Sequence, residues 1–323
     1  YVLIDTVEIN QNIYTDDNGG ARLAPGAEYC YRIVAIFPQP GGGESYASTE
    51  VCVEMGITAP VIVEADVEET DDESGQVFLK WQLPTDLPDV DDYEYELVRF
   101  DGQGGLTNPD TIASDIQRVV GVDFLTYTDT GLDTKNESYH YVVNMMLIGE
   151  ETVVDWSAPA STVWLETSST TEAIILNWEA LTPWSNIVQP EAGDDADKFY
   201  HLVYRYADDG FTAEEDLTLA DFELLTSVDA AVTGLYFEDV HDEDDNPLDP
   251  DILYYYYVET RGSYGNDLIE SPIENKSQFN SAQLDDGVAP DCTPNLSFDE
   301  SFDCRTFLAS QKCSFSDFFR DLT

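Results

Sequence analysis

Short runs of alternating apolar and polar residues dominate this chain. In Val77-Phe-Leu79-Lys-Trp81 and Ile174-Ile-Leu176-Asn-Trp178 every second side chain is a large apolar one, the period of a half-buried strand. Other runs are rich in β-branched and aromatic residues, and Gly, Pro, Asn and Asp clusters separate them. The 3.6-residue period of a helix is nearly absent. The pattern predicts strands over 61–67, 77–83, 93–100, 124–128, 139–147 and 161–165, then over 173–178, 199–206, 231–237 and 253–260. Many short strands bounded by turn residues imply an all-β chain of packed sheets.

The strands repeat. Leu23-Ala-Pro25-Gly-Ala-Glu-Tyr29-Cys-Tyr31 and Leu248-Asp-Pro250-Asp-Ile-Leu-Tyr254-Tyr-Tyr256 share Leu-x-Pro-x-x-x-Tyr-x-Tyr. Leu132-Asp-Thr-Lys-Asn-Glu-Ser-Tyr139-His-Tyr141 is the same pattern with one residue more and no Pro. Leu79-Lys80-Trp81 matches Leu176-Asn177-Trp178, and Arg99 and Arg205 each follow an apolar pair farther on. Tyr14-Thr-Asp16, Tyr127-Thr-Asp129 and Phe237-Glu-Asp239 each precede the tyrosine pattern. Repetition at domain-sized spacing marks a tandem array.

Leu-x-Pro-x-x-x-Tyr-x-Tyr resembles the tyrosine corner before strand F of fibronectin type III domains, and Leu-x-Trp resembles their strand B tryptophan. The resemblance covers the whole chain and implies tandem immunoglobulin-like (fibronectin type III) β-sandwiches. A Tyr whose ring packs inward can return its hydroxyl to nearby backbone and fasten the E–F connection. The implied map is the later part of a sandwich over 1–57, complete sandwiches over 58–166 and 167–287, and the opening of another over 288–323. Thr323 stops where Leu-x-Trp is due, so a Trp is expected next. The acidic loops, and strand F running on into Gly43-Glu44-Ser45 and Val51-Cys52-Val53, are similar to repeats of very large Bacteroidota surface proteins. Such proteins leave the cell by type IX secretion, and many belong to the gliding-motility-associated type.

Composition narrows the function. Thirteen Lys plus Arg against 66 Asp plus Glu give a formal charge of −53, which repels phosphate backbones and excludes nucleic-acid binding. The same charge keeps extended proteins soluble and attracts cations. Hydrophobic residues at 42%, with 19 Tyr, 15 Phe and 5 Trp, suffice for several cores. No run approaches the about 18 apolar residues of a membrane helix. The chemistry of an enzyme is thin: His140 and His201 lie within predicted strands, His241 lies in an acidic loop, and no nucleophile elbow, zinc-protease helix or phosphate loop occurs.

Cys30 and Cys52 fall on strands F and G of the leading repeat, which are neighbours in the implied fold. A disulfide there fits an oxidising, extracellular compartment; two buried thiols are the other reading. Cys292, Cys304 and Cys313 are odd in number and lack the close pairs of a zinc site.

Asp242, Asp244, Asn246 and Asp249 follow the spacing of a calcium loop, so Ca²⁺ is the one cofactor the sequence brings into question. Pro247 replaces the glycine of the sharp turn, so a plain solvated loop competes with that reading. Asp86, Asp89, Asp91 and Asp92, with Asp194, Asp195 and Asp197, are weaker cation candidates; Asp71, Asp72 and Glu73 suggest a polar A–B turn. Asp16, Asp129 and Asp239 are expected to cap the E–F turn. Trp184 is the aromatic best placed for stacking on a carbohydrate. Asn136, Asn275 and Asn295 match the N-glycosylation pattern, and Thr6 and Thr111 sit in short Asp-Thr motifs similar to an O-glycosylation signal.

The expectation is a non-catalytic, extracellular stalk segment of a large surface protein, used in adhesion or gliding. Its partners would be its own neighbouring domains and other surface proteins or glycans. A filament or secretion-complex subunit is the second class, and a spacer or carbohydrate-binding module of a polysaccharide-degrading enzyme the third.

Overall fold

The computed structural model describes residues 1–18, 22–87, 92–102, 106–186, 199–208, 210–214 and 217–285. Within them lie a leading segment and two β-sandwiches. The leading segment carries one antiparallel hairpin, β1 (Glu28–Tyr31) with β2 (Val51–Glu54), in register Cys30 to Cys52.

The first sandwich contains β3 (Val61–Glu69), β4 (Gly75–Gln82), β5 (Tyr93–Asp101), β6 (Pro109–Gln117), β7 (Phe124–Leu132), β8 (Tyr139–Leu147), β9 (Val153–Trp156) and β10 (Ala160–Ser161). One sheet has the order β3-β4-β7; the other has β10-β8-β5-β6, with β9 also on β8. The second sandwich contains β11 (Trp164–Ser169), β12 (Ile174–Glu179), β13 (His201–Ala207), β14 (Glu223–Val228), the helical turn α1 (Ala230–Thr233), β15 (Tyr236–Asp239), β16 (Tyr254–Gly262), β17 (Ile273–Lys276) and β18 (Asn280–Ala282). Its sheets run β11-β12-β15 and β14-β13-β16-β17, with β18 also on β16. Both sandwiches thus show the A-B-E and G-F-C-C′ layers of fibronectin type III domains, and all named pairings are antiparallel. The described residues hold tandem immunoglobulin-like β-sandwiches with the fold of fibronectin type III domains.

Each tryptophan shares a core with its downstream tyrosines. Trp81 packs with Tyr139 and Tyr141, and Trp178 with Tyr254 and Tyr256. The tyrosine corner occurs three times. Backbone N–H groups of Ala24, Asp133 and Asp249 donate to the hydroxyls of Tyr29, Tyr139 and Tyr254 at 2.8, 2.9 and 3.0 Å. The donor lies five residues before the ring in the first and last cases and six in the middle one, where the motif carries its extra residue.

A second device also repeats. Ile33, Val143 and Val258, each two residues past the second tyrosine, donate N–H to the hydroxyls of Ser48, Ser157 and Ser277 at 3.0, 2.9 and 3.0 Å. Ser48 and Ser277 pass their own protons to the carbonyls of Thr49 and Gln278. A serine hydroxyl thereby replaces one rung of the F–G ladder without leaving a buried N–H unpaired.

Three elements differ from the sequence expectation. Residues 161–165 are split: Ala160–Ser161 pairs with β8, whereas Trp164–Ser169 is strand A of the next sandwich. The C′ strands β6 and β14 carry weak apolar alternation because one face lies towards solvent, and β6 has a kink at Asp115 (φ 55°). Residues 230–233 form a helical turn in place of a strand, with the Asp229 carboxylate accepting from Ala231 N and Gly234 (φ 76°) ending it.

In the leading segment β1 and β2 lack a facing sheet among the described residues. Ile36 is 62% exposed, Val51 66% and Tyr46 fully exposed. Residues 288–323, with Cys292, Cys304 and Cys313, lie outside the described residues.

The tyrosine corner sets a first prediction. Tyr139→Phe keeps the ring and removes the acceptor of the Asp133 N–H, lowering stability by about 1 kcal/mol. Trp81→Ala opens a cavity in the same core and costs about 3–5 kcal/mol. Urea midpoints of the two variants, compared with wild type, check the ranking.

Candidate functional site

One constellation of a carboxylate, a guanidinium and a phenol is built twice, once across each sandwich. Arg99 on β5 donates through Nη1 to Asp129 on β7 at 3.1 and 3.3 Å, and the Tyr141 hydroxyl on β8 donates to the same carboxylate at 3.1 Å. In the second sandwich Arg205 on β13 donates to Asp239 on β15 at 3.0 and 3.2 Å, and Tyr256 on β16 donates at 2.8 Å. Each guanidinium also lies over the tyrosine-corner ring, Arg99 on Tyr139 and Arg205 on Tyr254. Asp129 and Asp239 therefore do not cap the E–F turn as expected. They cross the sandwich, tying strand E of one sheet to strands C and F of the other. Burial, with the carboxylate beside it, pushes the Tyr141 and Tyr256 hydroxyls far up, so both stay donors. In the leading segment Tyr31 donates to Asp16 at 3.0 Å, which is half of the same set.

Trp178 Nε1 donates to His201 Nδ1 at 2.9 Å, leaving Nε2–H to donate to the Asn186 carbonyl at 2.9 Å. Burial lowers the affinity of His201 for a proton, as it does for His140. The three histidines converge on no nucleophile: His140 and His201 are core residues, and the His241 carbonyl accepts from Arg205 at 2.7 Å.

A further polar assembly sits where the modules meet. The F–G hairpin of the second sandwich lies against the leading segment and against β3 of the first. Tyr264 donates its hydroxyl to the Ile62 carbonyl at 2.7 Å, while its own carbonyl accepts from Glu28 N at 2.9 Å. Asn266 donates to the Gly26 carbonyl at 2.9 Å, and Ala65 N donates to Asn275 Oδ1 at 2.6 Å. Lys276 donates both its backbone N–H and its Nζ to the buried Asp66. Gly26 (φ +75°) is required twice over, since a Cβ there would stand 2.5 Å from Ile269 Cδ1. Tyr264, Ile269, Ile273 and Trp184 belong to the same core as Trp81 and Ile57. Burial, then the charge of Asp66, pushes the Glu64 carboxyl up to about 7.

Trp184 is 4% exposed, with its Nε1 donating to Asn186 and its ring against Tyr264. It fills the junction and is not placed to stack on a carbohydrate. Asn275 is 1% exposed and committed to Ala65, which removes it as a glycan acceptor. Asn136 is exposed in the E–F loop, and Asn295 lies outside the described residues.

Asp242 Oδ1 accepts from the backbone of Asp244 and Asn246 at 2.9 and 2.8 Å and from the Asn246 amide at 3.2 Å. Among the described residues the only group of three ligand-type atoms within 4.8 Å of one another is Glu28, Cys30 and Cys52. Those cysteines are a disulfide, with Cα atoms 4.0 Å apart. Asp242, Asp244 and Asp249 do not converge in this way. Asp86 accepts from Ile57 N at 2.7 Å, and Asp71 caps the A–B turn through Glu73 and Ser74. The Asp92 carbonyl accepts from Ile148 N. Asp89, Asp91, Asp194, Asp195 and Asp197 lie outside the described residues.

Sequence reasoning used Arg99 and Arg205 only as alignment marks, although their recurrence two residues before the end of an apolar strand was the available signal. It missed Asp66, Lys276 and Tyr264, whose partners lie about 200 residues away in sequence.

No family model matches the chain, and no curated protein matches it. Among solved structures, the crystal structure of the chicken CNTN1 FN1-FN3 domains aligns over 81% of this chain and 79% of that chain, at 12% identity and a TM-score of 0.21. A superposition that low carries no argument, so the fold assignment rests on strand order and core.

Three outcomes follow. Asp239→Ala strands a buried guanidinium and costs about 3–5 kcal/mol; Asp129→Ala costs less, because Arg99 keeps Asp101 and Asp110. Paired urea titrations measure both. The unfolded chain carries an imidazole of ordinary value 6.5 that takes a proton the buried His201 refuses. Stability contributed by this ring is thus full above 6.5 and falls as pH drops from there towards its lowered value. His201→Tyr, copying Tyr95 of the first sandwich, makes that step smaller in a plot of urea midpoint against pH and leaves the part contributed by His140. Asp242→Ala removes the acceptor of the Asp244 and Asn246 N–H groups and lowers the melting temperature. Scanning calorimetry in calcium and in chelator reads that loss and tests the calcium loop, since a melting temperature that chelator leaves unchanged counts against it.

Proposed function

We propose that this chain is a non-catalytic structural and adhesive segment of a large extracellular protein. The observation that carries the reading is the continuous core at the junction. Tyr264 holds the leading segment and both sandwiches in one fixed arrangement. The modules do more than touch end to end, so the unit is a rigid block and not a string of independent beads. Such a block holds its loops in set positions and passes load from one module to the next through packed sheets.

Two further features support an extracellular setting. The Cys30–Cys52 disulfide fits an oxidising compartment. The charge of −53 keeps strand edges from pairing with other copies. Among the described residues no helix is long and apolar enough to cross a membrane. The likeness of the acidic loops, and of the run from strand F into Gly43-Glu44-Ser45 and Val51-Cys52-Val53, to repeats of Bacteroidota surface proteins supports the finer reading: a type IX secreted protein serving attachment or gliding, with other surface proteins or glycans as partners at the acidic loops.

A second reading, subunit of a surface assembly, is favoured by one observation. The apolar residues Ile33, Ile36 and Val51 of the leading segment stand open to solvent. Sedimentation across a range of protein concentrations separates the two: a mass independent of concentration supports the spacer block, and a rising mass supports the assembly.

Small-angle scattering tests the block itself. Its maximum dimension stays constant between low and high salt, because packed contacts and not repulsion set the shape. A particle that lengthens at low salt would overturn the rigid arrangement. On intact source cells, Cys30 and Cys52 take a membrane-impermeant thiol reagent only after reduction.

A further inference from the structure

We propose that Lys276 and Asp66 condense into an amide, a covalent cross-link tying the last hairpin of the second sandwich to the first strand of the first. The geometry points to this in four ways. Asp66 is 3% exposed, and Lys276 grips it twice, through its backbone N–H and through Nζ. The backbone bond pins the carboxylate, so the amine is held against a carbon that cannot turn away. Positioning of this kind gives effective concentrations on the order of 10⁵–10⁸ M, which moves an unfavourable condensation towards the amide.

Glu64 lies two positions along β3 and so on the same face as Asp66. Its proton affinity responds to Asp66, Lys80, Lys276 and Glu270, which places it among these groups. An aromatic cluster lies near the pair: Tyr257, whose hydroxyl is pushed up by burial, Tyr204, Glu259 and Asp66, packs with Phe222 and Phe279. A cavity bordered by Val63, Glu64, Lys80 and Ile273 opens beside Glu64 and can receive a released water.

Burial raises the proton affinity of the Asp66 carboxyl even with the ammonium on it. The condensing form is the neutral acid and amine, reached from the ion pair by passing one ammonium proton to Asp66. Burial of Asp66 favours that transfer, while the charges of Asp66, Glu259 and Glu64 hold the proton on the partly exposed Lys276. The Lys276 amine attacks Asp66 Cγ, forming the C–N bond, while its proton passes to the Glu64 carboxylate. Glu64 returns that proton to the departing carboxyl oxygen as the C–O bond breaks. One ammonium and one carboxylate give one amide and one water, and Glu64 ends as it began. No oxidant, metal or added reagent takes part.

Intact-mass measurement of the reduced, denatured chain decides the matter without reference to the proposed function. The wild type is expected one water lighter than its sequence, and protease digestion yields a branched peptide joining the Lys276 and Asp66 segments. Lys276→Arg, which keeps the charge, and Glu64→Gln are expected to fold by circular dichroism and to show the full sequence mass. A wild-type chain of full sequence mass after prolonged incubation at neutral pH would overturn the proposal. So would a mass deficit that persists in Lys276→Arg.

Discussion

A carboxylate between two sheets is the constraint on which each sandwich depends. Asp129 and Asp239 sit where a two-layer β core would otherwise be apolar, and each is matched by one guanidinium and one phenol from the opposite sheet. A charge in that position tolerates no slip. Moving strand C or F by one residue would turn Arg or Tyr to the other face and leave a buried ion alone. The polar clamp therefore fixes the register that the apolar core only favours, and the cation over the tyrosine-corner ring joins it to the E–F connection.

The strand ends are closed by local devices of the same economy. The corner tyrosine accepts a backbone N–H from the loop before it, and a serine hydroxyl on strand G stands in for a missing ladder carbonyl. Both devices recur in the leading segment with Tyr29 and Ser48, although its described residues include no facing sheet. These are short-range bonds that form wherever the motif occurs. The clamp is different, because it needs strand C, and the leading segment has only Asp16 and Tyr31 of it.

Between modules the logic changes from repetition to singularity. Tyr264, Asn266, Asn275, Lys276 and Asp66 meet once, at the place where one hairpin crosses a neighbour's first strand. Trp184 and Ile269 fill the space around them, and Gly26, at φ +75°, takes a backbone conformation that favours glycine while leaving room for Ile269 Cδ1. The result joins three modules through buried contacts, on which the structural role proposed above rests.

The sequence by itself determined the class of fold, the strand B to strand F pairing of Trp81 with Tyr139 and Trp178 with Tyr254, the tyrosine corners and the Cys30–Cys52 neighbourhood. Each is carried by period-2 alternation or by a motif whose partners lie within one repeat. The C′ strands escaped notice because an edge strand with one face in water needs no apolar alternation, and residues 230–233 because Asp229 and Gly234 impose a helical turn locally. Only the tertiary structure decided the roles of Asp129 and Asp239, the burial of Trp184 and Asn275, and the meeting of Asp66 with Lys276. Those outcomes depend on which surfaces two folded sandwiches bring together, and that is set by the summed shape of many side chains, which no local pattern encodes.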